Sequence, residues 1–396
     1  MSLAHDLSAA IMPNTSYDSI IDFLGEARPR PCKLEEIDEK EWALYKEVGG
    51  LLEGAQAVSI PEAKIVDGRI FPMTLQPREK NASNADRLAF VEAEREKILR
   101  LVQTHGAVLL RGWGSATAAD FSALNSTIYG VEHFDMACSA GPRTEVANRV
   151  FTANEAPPSE QIPMHSEMAQ CDAPPEHIAF FCEVAPTTGG ATPIIHSHLV
   201  AAYLREKHPA LAEKLKALGV RYVRVMPEET DSTSALGKSW RISLGVKTRE
   251  EAEEKLRASE TEFEWLPGNF LRTVSRVGPA LVVDERSGNE VFFTAAETTL
   301  NHAPSGLDKN GVQRPVKAII FGDNTELSAE ECAALSEVGD FMERNKVAFR
   351  WQAGDALLLN NATVMHSRED FVPPRRILAA LNGSMSKDPT LRPRSE

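Results

Sequence analysis

Residues 351–381, WQAGDALLLNNATVMHSREDFVPPRRILAAL, carry the pattern that decides the fold. Gly354-Asp355 is a turn signal, and the apolar run Ala356–Asn360 that follows it has the length of a buried strand. Pro373-Pro374 favours a second turn, after which Ile377–Leu381 is another short apolar run. His366 stands between the two runs, so one short stretch predicts two strands with a polar residue of interest held between them.

The same texture continues outward. Lys346–Trp351 alternates Val347, Phe349 and Trp351 and predicts a strand with one apolar face. Ala107–Arg111, His177–Val184, Val220–Met226, Phe263–Trp265 and Phe270–Val274 are further β-like runs. Helices are fewer. Over 86–105, Val91, Ile98, Leu99 and Val102 make one apolar stripe. Over 328–345, Ser328 and Glu331 form a capping box, and Cys332, Leu335, Val338 and Met342 share a face. The expected fold is mainly β with flanking helices packed outside a β-sandwich or a jelly roll (double-stranded β-helix) core. Residues 1–80 are irregular and read as an N-terminal extension packed on the body, with residues 81–396 as a single domain.

Lys plus Arg number 43 against 57 Asp plus Glu, a formal charge of −14 that disfavours nucleic acid and anionic membrane surfaces as partners. The five cysteines are scattered without a CxxC pair and suit free thiols in a reducing compartment. No apolar run approaches the roughly 20 residues of a membrane helix, and residues 1–31 lack a secretory signal. The expected location is cytoplasmic.

The chemistry lies in three separated pieces: Pro163-Met164-His165-Ser166-Glu167, Gly189-Gly190-Ala191-Thr192-Pro193-Ile194, and Asn360-Asn361 through His366 to Pro373-Pro374-Arg375-Arg376. A non-haem iron(II) centre needs two imidazoles and one carboxylate on one face of the metal, leaving positions open for other ligands. Residues i and i+2 of a strand share a side, so His165-x-Glu167 offers two ligands, and His366 can supply the third from elsewhere in a barrel. The motif alone is weak: composition predicts about 1.4 His-x-acid pairs and two occur, the other being His133-x-Asp135. Only His165-x-Glu167 has a glycine-rich stretch downstream and a candidate partner histidine.

The stretches HGAVLLRGW, GPRTEVANRVFTANEAPPSEQIPMHSEMAQ, FFCEVAPTTGGATPI, GKSW and residues 351–381 resemble the taurine dioxygenase-like (TauD/TfdA) superfamily of iron(II)/2-oxoglutarate oxygenases. Within it they are similar to the clavaminate synthase-like and SyrP-like branch, which carries Glu in the His-x-acid motif. The resemblance spans about His105 to Leu381 and leaves residues 1–80 unexplained.

It implies Fe(II) held by His165, Glu167 and His366, with 2-oxoglutarate and dioxygen as co-substrates. It implies 2-oxoglutarate binding by Thr192 and by Arg376, whose guanidinium would grip the distal carboxylate. Arg375 is the rival, since adjacent strand residues face opposite ways and only one points inward. Asn154 and Trp240 fall in matching stretches and are candidates to border the substrate. His196 and His198 open a predicted helix and read as surface residues. The implied reaction oxidises an unactivated C–H bond of a small, amino-acid-like metabolite, most simply by hydroxylation, with release of succinate and carbon dioxide. Two alternatives from other classes are a catalytically silent metal-binding jelly roll and a metal hydrolase on the same His/Glu/His site.

Overall fold

The run Ala356–Asn360 forms the expected strand and sits inside the largest sheet, with all five residues buried. The computed structural model describes residues 54–385 except 80–81, 132–133, 135–142, 172, 231–237, 260, 285 and 296–318, together with 34–36 and 52. Ala356–Asn360 pairs antiparallel with Ala107–Leu110 on one side and with His177–Val184 on the other. Arg376–Asn382 continues the sheet beyond His177–Val184, followed by Val150–Thr152 and Glu145–Ala147. At the opposite edge Met73–Pro77 runs parallel to Ala107–Leu110, and Ala55–Ala57 caps that edge.

The central strands read as apolar runs because both of their faces are covered. Leu357, Leu359, Ile178, Phe181 and Leu378 are each fully buried, worth about 1.5–3 kcal/mol per large side chain removed from water. The Gly354-Asp355 turn is anchored as well as sterically permitted. Arg111 Nη2 donates to Asp355 Oδ2 at 2.8 Å and to the Arg350 carbonyl at 2.9 Å, and Asp355 also accepts from the Gln352 amide.

A three-stranded sheet, in the order Ile194–His196, Val364–Arg368 and Ile162–His165, supplies the second layer. Phe180 of the large sheet packs against His366 of the small one with ring centroids 5.0 Å apart, so the two layers meet at that histidine. The fold is therefore the mainly β jelly roll with flanking helices. A separate four-stranded sheet (Glu262–Leu266, Phe270–Val274, Val220–Met226 and Ile319–Phe321) forms an annex with its own small core.

Several expectations change. The helix expected over 86–105 is two helices, Asn84–Ala93 and Arg95–His105, broken at Glu94 (φ −101°, ψ 10°). Val91, Ile98 and Val102 are buried in the core, Leu101 joins them, and Leu99 packs against the same core partly buried. Lys346–Trp351 buries Val347, Phe349 and Trp351 as the alternation predicts. It is an extended segment bonded to the body at Val347–Ile194 rather than a strand, since the alternation reports which side is buried and not whether a partner backbone is present. Met73–Pro77, within the stretch read as an extension, pairs into the large sheet beside Ala107–Leu110. Cys171, Cys182 and Cys332 are free thiols.

Candidate metal and oxo-acid site

His165 ends its strand directly opposite His366 on the neighbouring antiparallel strand. Opposed residues of such a pair share a face, and the two imidazoles lie with centroids 4.4 Å apart. Glu167 arrives differently from the i, i+2 expectation. The strand stops at His165, and Ser166 to Cys171 turn back on themselves through the Ala169-to-Ser166 and Cys171-to-Met168 backbone bonds. Asn361 holds that turn: its Oδ1 accepts from the Glu167 amide at 2.8 Å, and its Nδ2 donates to the Glu167 and Pro175 carbonyls at 3.0 and 2.8 Å. Donor atoms of His165, Glu167 and His366 all lie within 4.8 Å of one another, the one such cluster among the described residues.

The protonation states suit a cation. The His165 Nδ1–H donates to the Pro163 carbonyl at 2.8 Å, which leaves the Nε2 lone pair free. Burial, with the neighbouring His366, pushes His165 down to about 4, so it is a neutral ligand at pH 7. Burial alone would raise Glu167, but the Arg143 guanidinium and the two histidines outweigh it and hold the carboxyl well below its usual range. Arg143 Nη2 donates to both carboxylate oxygens, at 2.9 and 3.0 Å. His366 Nε2 stands 3.5 Å from Glu167 Oε2. Two imidazoles and one ionised carboxylate are the donor set a divalent transition metal takes, so the residues fit the ion.

A cleft runs from this cluster, lined by Asn154, Phe180, Thr192, Arg368 and Arg375 among others. Thr192 is buried, and its Oγ1 accepts from Trp351 Nε1 at 3.1 Å and from Arg375 Nη2 at 3.3 Å. Arg375 Nε donates to the Gly190 carbonyl at 2.8 Å. Gly190 has φ +71°, and a Cβ there would stand 2.8 Å from Arg375 Cδ, so the glycine lets the arginine stem lie flat on the backbone. Among the described residues no carboxylate pairs with Arg375. Burial and the adjacent Arg368 lower it to about 10, leaving it charged at neutral pH.

The expectation that Arg376 faces the cleft is corrected: its side chain is half exposed on the outer side and pairs with Glu183 at 3.0 Å. Arg376 opens the strand register opposite Val184, which turns it outward and Arg375 inward. Asn154 does line the cleft, with its Oδ1 accepting from the Ala156 amide at 2.7 Å. Trp240 does not. It is fully buried in the annex core with Met226, Ala252, Leu256 and Leu271, and its Nε1 donates to the Asn269 carbonyl at 3.1 Å. His196 and His198 are buried rather than superficial: His196 Nε2–H donates to the His105 carbonyl and His198 pairs with Asp67. His133 and Asp135 lie outside the described residues.

The roles of Arg143, Asn361 and Trp351 at the site are not legible in the sequence. Each acquires meaning only through a partner far along the chain.

The chain is similar to several known proteins. The family described as taurine catabolism dioxygenase TauD, TfdA family matches residues 69–381. A clavaminate synthase-like protein of Arabidopsis thaliana is 34% identical over 330 residues, covering 81% of this chain and 96% of that protein. The dapdiamide synthesis protein DdaC of Enterobacter agglomerans is 25% identical over 289 residues, covering 71% of this chain and 83% of that protein. Among solved structures, the PvcB protein of Pseudomonas aeruginosa is 15% identical with a TM-score of 0.43, covering 93% of this chain and 98% of that one.

Proposed function

The chain belongs to the TauD/TfdA family and is a 2-oxoglutarate-dependent non-haem iron dioxygenase, and from that premise we propose that it hydroxylates an unactivated C–H bond of a small, amino-acid-like metabolite. In this reading His165, Glu167 and His366 hold the ferrous ion, and Thr192 with Arg375 holds the oxo acid. When bound, the ion and its oxo acid supply the activation of dioxygen, releasing succinate and carbon dioxide. The chain supplies position and charge. The two imidazoles offer nitrogen donors and Glu167 offers the anionic ligand, oriented through its backbone by Asn361.

The observation that carries the reading is the cradle at Thr192. Its oxygen already accepts two hydrogen bonds, from Trp351 and Arg375, so its own hydroxyl hydrogen is free to donate. A buried guanidinium without a carboxylate partner among the described residues stands beside it. A free O–H donor and an uncompensated cation next to a metal-ligand cluster suit the distal carboxylate of 2-oxoglutarate. Neither a hydrolase nor a silent barrel has a use for that pair.

The test is to add iron(II) and 2-oxoglutarate anaerobically and look for the visible absorption of a chelated oxo acid, then admit dioxygen and measure succinate. The band and succinate are expected. Folded protein with neither would overturn the reading, and a metabolite panel screened for substrate-stimulated succinate release would identify the substrate.

A further inference from the structure

Once iron and oxo acid have their residues, Arg143 is left with most of its hydrogen-bonding capacity unused. It lines the same cleft, and its side chain is 10% exposed. Only Nη2 is engaged, on Glu167; among the described residues Nε and Nη1 are buried without any acceptor. Arg143 acts on Glu167 and His165, whereas Arg375 stands beside Arg368, so the two guanidiniums serve different parts of the cleft.

A buried guanidinium with unused N–H groups is costly unless an acceptor reaches it. The balance worsens when a divalent cation takes Glu167, because the guanidinium then faces like charge and loses part of its only carboxylate partner. An anion placed against Arg143 restores both charge and hydrogen bonding. Beside polar lining residues that include Asn154 and Ser367, the cleft has apolar walls at Ala153, Ile162 and Phe180. They suit a short aliphatic body.

Resting on the oxygenase reading, we infer that Arg143 is the anchor for a carboxylate of the primary substrate, which is therefore a small aliphatic acid or amino acid held by its acid group beside the metal. Asn154 lines the same cleft. The arrangement also links binding to the metal site: a substrate carboxylate draws Arg143 off Glu167, leaving that side chain wholly to the ion.

The test uses protein loaded anaerobically with iron(II) and 2-oxoglutarate. It is titrated with a set of short aliphatic acids and α-amino acids, each paired with its primary amide, and shifts of the visible band are read. At least one acid is expected to shift the band, with its amide roughly 100-fold weaker. Arg143→Gln should still form the band and lose the preference for acid over amide. Arg143→Lys, which keeps the charge without the fork, should fall between, and melting curves confirm that both variants fold. The inference is overturned if amides match acids, if Arg143→Gln keeps the preference, or if no acid shifts the band of a protein that forms one. A wild-type protein that forms no band defeats the oxygenase reading itself, a separate outcome.

Discussion

At one part of the cleft, His165 and His366 face each other across paired strands and Glu167 is delivered by a turn pinned to Asn361. At another, Arg375 and Arg376 are consecutive, one turned in against Thr192 and the other out to Glu183. The first arrangement is recognisable by residue type, because few structures need two histidines and an acid in that company. The second depends on strand parity, where a shift of one residue exchanges the inside for the outside. Ligand identity is therefore robust to errors in register, and anchor identity is not.

The sharpest way to break the comparison is His366→Ala. Iron(II) binding, followed by equilibrium dialysis, is expected to be lost, since two protein donors cannot replace the set. Next, Arg375→Ala should raise the 2-oxoglutarate requirement roughly 100-fold, the worth of a charge-assisted pair in a buried site, read from the half-saturation of the visible band. Asn361→Ala should weaken iron affinity by about 10- to 100-fold through the freed Glu167 turn, and should lower the melting temperature as well because buried backbone groups lose their partner.

Acid should act on the histidines that hold no ligand role. His105 is held down to about 4 by burial, and His177 likewise. Below pH 6.5 the unfolded chain takes up protons that the folded chain refuses until about pH 4, so stability falls as pH drops through that window. Thermal melts at pH 7 and pH 5 check this. The smallest effect belongs to Arg376→Ala, expected to change the 2-oxoglutarate requirement by less than about twofold, because a half-exposed ion pair contributes little. A large effect there, with none at Arg375, would reverse the parity assignment.

Much of the fold was legible in the sequence where local pattern and burial coincide. Ala356–Asn360, His177–Val184 and Val220–Met226 have the expected bounds, and Ser328 caps its helix as its spacing with Glu331 implies. The His165-x-Glu167 pair reaches a common site although the alternation argument does not apply past the strand end. Trp240 misled because a tryptophan in a matching stretch says nothing about which core it fills. Arg143 was unreadable because its meaning lies in Glu167, 24 positions on, across a stretch with no periodicity to relate them.

Hydrophobic runs, turn residues and the types of metal-binding side chain are local properties, and these determined a β-rich body carrying a His/Glu/His candidate centre. Which arginine looks inward, how Glu167 is steered, which histidines are buried and what faces Arg143 were decided only when distant segments paired. Side-chain direction there is set by strand register and by hydrogen bonds such as those of Asn361, whose energies depend on contacts that do not exist until the chain has folded.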